Sequence, residues 1–98
     1  MTKTFYHATP TENLCSIMSK GLLTGVDGIV YLTEKPDEAI RFLAIRGYKE
    51  AIVCQVELEE DFVEEQFDHN ERFFGCKAYG VRGNIEPSEI AEYYKYTW

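Results

Sequence analysis

Apolar and polar positions along the chain change period several times, and the changes mark out its elements. Lys3 to His7 reads as a short strand. It runs into Thr9-Pro10-Thr11-Glu12, which has the form of a helix start: Thr9 as N-cap, Pro10 at the first helical position, Glu12 completing a capping box. Leu14, Ile17 and Met18 recur at helical spacing and Gly21 suits a left-handed C-cap, so the spacing predicts a helix over roughly 10–20.

After a Gly25 and Asp27-Gly28 turn region, Ile29 to Thr33 is a β-favouring run predicted to be a buried strand. Pro36 opens a second helix with Asp37 and Glu38 in its first turn. Its apolar face carries Ala39, Ile40, Leu43 and Ala44, Arg41 and Arg46 point outward, and Gly47 ends it. Ala51 to Leu58 alternates as a half-buried strand, with Ile52, Cys54, Val56 and Leu58 inward. Lys77 to Ile85 is a late strand broken by Gly80 and Gly83, Pro87-Ser88 turns the chain, and Ile90 to Trp98 is an aromatic closing strand. The order strand, helix, strand, helix, then several strands predicts one α+β domain over residues 1–98, rich in antiparallel pairing.

Charge narrows the function classes. The net charge is -7, and Glu57 to Glu71 holds eight of the 17 acidic residues with no Lys or Arg. That stretch is expected to be an exposed excursion pinned by Phe62, Val63 and Phe67, with docking of a basic protein partner as its sharper use. Long nucleic acid is a poor partner for such a surface, although Arg41, Arg46, Arg72 and Arg82 leave room for a local small-anion site. No run of residues reaches the length of a membrane span and no apolar signal segment follows Met1, so a cytoplasmic protein is expected. Cys15, Cys54 and Cys76 are too widely spaced for a disulfide framework or zinc site, and no metal is expected; reduced, mostly buried thiols are.

Two polar aromatic side chains stand out, His7 beside a helix start and Tyr31 within the second strand, on segments expected to be sheet neighbours with a cleft between them. Their surroundings form a pattern. Tyr6-His7-Ala8-Thr9, a helix ending in Gly21-Leu22, Val30-Tyr31-Leu32-Thr33 before a helix containing Ala39, and the closing Gly83 to Ile90 segment together resemble the ADP-ribosyltransferase superfamily. The resemblance implies a split, mostly antiparallel sheet with two helices, binding NAD as substrate in the cleft. It implies that His7 hydrogen-bonds a ribose hydroxyl and Tyr31 packs on the nicotinamide ring. Thr9 and Thr33, inside the same two motifs, are further candidate cofactor-binding residues, though each also serves simply as a helix cap or strand end. The RNA 2'-phosphotransferase branch shares this pattern but needs basic residues for its RNA, which the acidic balance disfavours.

In one respect the chain departs from the family. The late strand begins Cys76-Lys77-Ala78-Tyr79, without the carboxylate that would stabilise an oxocarbenium-like ribosyl centre. The nearest acids are Asp68 and Glu71, which reach the cleft only if their loop folds back over it. Asp68 and His69 are a candidate acid-base pair or, equally, a local loop cap. Two functions are therefore carried forward: an ADP-ribosyltransferase acting on a protein or small molecule, and a non-enzymatic nucleotide-binding or acidic inhibitor module that docks on a partner protein.

Overall fold

A computed structural model describes residues 2–24, 28–66 and 78–98. Its elements are β1 (Thr2–Thr9), α1 (Leu14–Lys20), β2 (Ile29–Leu32), α2 (Pro36–Ala44), β3 (Glu50–Glu59), β4 (Val63–Gln66), β5 (Ala78–Arg82) and β6 (Ile90–Thr97). Among the described residues these make a small α+β fold with two α-helices and two antiparallel three-stranded sheets, ordered β1-β3-β6 and β2-β5-β4. No helix among them is long and apolar enough to cross a membrane.

The main core lies between the two sheets. Phe5 of β1, Val30 and Leu32 of β2, Ile52, Cys54, Val56 and Leu58 of β3 and Val81 of β5 belong to one buried cluster, closed by Ile17, Leu22, Ile85 and Ile90. β3 therefore contributes the alternating set expected of it, but its first half is buried on both faces. Ala51 and Val53 are as buried as Ile52 and Cys54, because α2 crosses β1 and β3 on the other side and brings Ala39 and Leu43 against them. Burial of Phe5 alone contributes about 1.5–3 kcal/mol.

Several local expectations are corrected. β1 continues through Thr9, which pairs with Ile52, and no helix begins at Pro10 for Thr9 to cap. Pro10 follows in an extended conformation (φ -56, ψ 142), a single 3-10 turn covers Thr11–Asn13, and α1 starts only at Leu14, without a side-chain cap. The Thr9 hydroxyl accepts from the Asn13 side chain at 3.0 Å in place of a first-turn backbone N–H. β2 is not buried throughout: Val30 and Leu32 point inward while Tyr31 is 42% exposed. Of the acidic excursion, Val63–Gln66 is a strand paired with β5, held by Val63 against the core, whereas Phe62 pins nothing and is 71% exposed. Cys54 is buried as expected but Cys15 is exposed. Phe67, Cys76 and the Asp27 turn position lie outside the described residues.

Beyond their packed core, the two sheets share one backbone rung among the described residues. Tyr6 and Thr33 exchange both backbone hydrogen bonds, at 2.8 and 2.9 Å, and beyond them β1 and β2 diverge. On one side of that rung Lys3 reaches Glu34 at 2.8 Å, and the Tyr79 hydroxyl donates to the same carboxylate at 3.0 Å, tying β1 to β5. On the other side is His7.

Candidate functional site

Strands of an antiparallel ladder turn the N–H and C=O of alternate residues to opposite edges. Tyr6 gives both groups to Thr33, so Tyr6 and, two residues on, Ala8 face away from β3. Extending the Tyr6–Thr33 register by one rung would set Ala8 against Tyr31. That rung is not made. The His7 ring takes the Tyr31 carbonyl instead, with Nδ1 2.7 Å from the oxygen. The Ala8 N–H and C=O have no partner among the described residues and open on a cavity of about 350 Å³ that starts where the strands part.

A carbonyl can only accept, so Nδ1 carries the proton in this contact and Nε2 is left as the free acceptor of the ring. Burial pushes the His7 pKa below its ordinary value, and the hydrogen bond to Tyr31, which favours the cation, only partly opposes it. At neutral pH His7 is therefore an uncharged imidazole with a fixed tautomer.

The cavity joins several of the residues singled out above. His7, Tyr31 and Thr33 line it. Thr33 is 3% exposed and its hydroxyl is committed to the Lys35 carbonyl at 2.9 Å, at the entry to α2, so it shapes the cavity more than it offers a ligand group. Thr9 does not line it; its hydroxyl accepts from Asn13 Nδ2 at 3.0 Å. Asp68, His69 and Glu71 lie outside the described residues, and no carboxylate among the described residues lines the cavity.

Sequence reasoning passed over the α2 wall. Ala39, Phe42, Leu43 and Arg46 all line the cavity, and Arg46, exposed as expected, stands at its rim. The signal was present: these positions recur at i, i+3, i+4 and i+7, one face of a helix continued into its last turn. Ala8 was also missed, because what it presents to the cavity is backbone, which no side-chain pattern encodes.

A larger groove of about 530 Å³ lies away from these residues, lined by Glu57, Glu59, Asp61, Glu64 and Glu89, with Arg82 3.5 Å from Glu64. Its acids would repel an anionic nucleotide, and it contains neither His7 nor Tyr31. The smaller cavity is the candidate site. Searches against protein-family models and against curated proteins find no match for this chain.

Proposed function

We propose that the His7 cavity binds the nicotinamide half of NAD and that the protein is an NAD-dependent ADP-ribosyltransferase-like protein, transferring ADP-ribose to a protein or small-molecule acceptor. The observation that carries this reading is the unformed rung at Ala8. One backbone donor and one backbone acceptor side by side complement the edge of a primary carboxamide, where its carbonyl oxygen and one of its two N–H groups lie, and a nicotinamide is an aromatic ring bearing that group. The Nε2 of His7 beside it would accept from a ribose hydroxyl, and Tyr31, exposed at the cavity, would cover the ring. The split between the two sheets agrees with the ADP-ribosyltransferase pattern suggested by Tyr6-His7-Ala8-Thr9 and Val30-Tyr31-Leu32-Thr33.

In the reaction the bond between the ribose anomeric carbon and the nicotinamide nitrogen breaks. Its electron pair leaves with neutral nicotinamide, and the acceptor's nucleophile bonds to the oxocarbenium-like carbon while losing a proton. The cavity residues hold and orient both sides of that bond. Asp68 or Glu71 would supply the stabilising carboxylate. A second reading, a nucleotide-binding module without catalysis, is favoured by one observation: no carboxylate among the described residues lines the cavity. Incubating the protein with labelled NAD and cell extract tests the choice. Label transfer that His7→Ala abolishes supports the transferase; saturable NAD binding without transfer supports the module.

A further inference from the structure

Arg46 is the only Lys or Arg among the described residues that lines the His7 cavity. The other two described arginines are matched to acids, Arg41 to Asp37 at 3.6 Å and Arg82 to Glu64 at 3.5 Å. Arg46 pairs with no carboxylate among the described residues, in a chain with 17 acidic and 10 basic side chains. It is not needed as a helix cap either. The last carbonyls of α2 accept from the backbone N–H groups of Ile45, Arg46, Gly47 and Tyr48. An exposed guanidinium fork without a partner, at the rim of an otherwise uncharged aromatic cavity, matches the planar, bidentate acceptor geometry of a phosphate.

We infer that the ligand of this cavity carries a phosphate at Arg46, and that Arg46 selects phosphorylated over unphosphorylated ligands. The inference rests on the nicotinamide reading above and extends it. A cavity of about 350 Å³ is at the small end of ligand sites, suited to a mononucleotide and not to a whole dinucleotide. The half held inside is then nicotinamide, ribose and the first phosphate, and the second nucleoside lies outside.

Calorimetry with nicotinamide mononucleotide and nicotinamide riboside tests this on wild type, Arg46→Ala and Arg41→Ala, with folding checked by circular dichroism. Wild type and Arg41→Ala bind the mononucleotide about tenfold or more tightly than the riboside, a preference that shrinks as salt is raised. In Arg46→Ala the mononucleotide falls to the riboside's affinity and the riboside is unchanged. Arg46→Gln, which keeps part of the aliphatic stem, replaces the alanine variant if that fails to fold. Equal wild-type affinity for the two ligands, or a preference that survives loss of the arginine, overturns the inference and leaves the nicotinamide reading standing. If wild type binds neither compound nor NAD, both fall together.

Discussion

The imidazole of His7 donates from Nδ1 to the backbone carbonyl of Tyr31, 2.7 Å away, and in doing so takes the acceptor that the next rung between β1 and β2 would have used. A side chain thus ends the pairing of the two strands and leaves the Ala8 backbone open. The same contact fixes the tautomer of His7 and the point at which the two sheets separate.

From the burial of His7 follows a sign for its titration. Its folded pKa lies below 6.5, so the unfolded chain takes up this proton first as pH falls. The stability contributed by the neutral ring is complete above about pH 6.5 and is lost below it, levelling off once pH passes under the folded value. Nitrogen-detected NMR should find the Nδ1–H tautomer at neutral pH and a midpoint below 6.5. In urea, wild type should lose more stability than His7→Gln between about pH 7.5 and about pH 5.5. A midpoint at or above the ordinary histidine value contradicts the burial assigned to the ring.

Gly21 and Gly47 should respond differently to alanine. Both have positive φ, 79 and 92, and Gly21, with ψ -164, lies in a region essentially reserved for glycine, at a cost to a side chain of about 1–3 kcal/mol. A Cβ at Gly21 would also lie 1.9 Å from the Ile85 carbonyl oxygen, against the backbone bridge of Leu22 to Ile85, whereas at Gly47 it meets nothing within 4 Å. Gly21→Ala should therefore destabilise by well over twice the loss in Gly47→Ala, read from denaturant midpoints. Equal losses would mean that the close approach at Ile85 is not present in solution.

The cysteines separate by environment. Burial raises the Cys54 thiol to about 12, while Cys15 is exposed. Peptide mapping after mild alkylation should find Cys15 modified quickly and Cys54 only after unfolding. Rapid modification of Cys54 in the folded protein would contradict the packing of β3 between the sheet core and its neighbours.

Much of this architecture is legible in the sequence, for reasons that differ by element. The alternation in Ile52, Cys54, Val56 and Leu58 identifies β3 because one face always meets the core, and Pro36 marks the start of α2 as the first-turn rules require. Thr9 has the chemistry of a cap, but the chain stays extended through Pro10 and α1 begins only at Leu14, a delay that the local motif does not encode. Val63–Gln66 was hidden by its charge: an acidic strand looks like a loop unless its partner, β5, is known. At the candidate cavity, His7 and Tyr31 stand out in the sequence and the fold brings them together. Their contact, the open Ala8 backbone and the place of Arg46 at the cavity rim depend on where β1, β2 and α2 meet, which no local window contains.

If the cavity at His7 is a nicotinamide dinucleotide site, calorimetric titration of NAD should show saturable one-to-one binding by wild type. Folded His7→Ala should bind at least about tenfold more weakly, the size of one lost hydrogen bond to a desolvated partner. No binding by wild type, or the same affinity in both proteins, would contradict that reading.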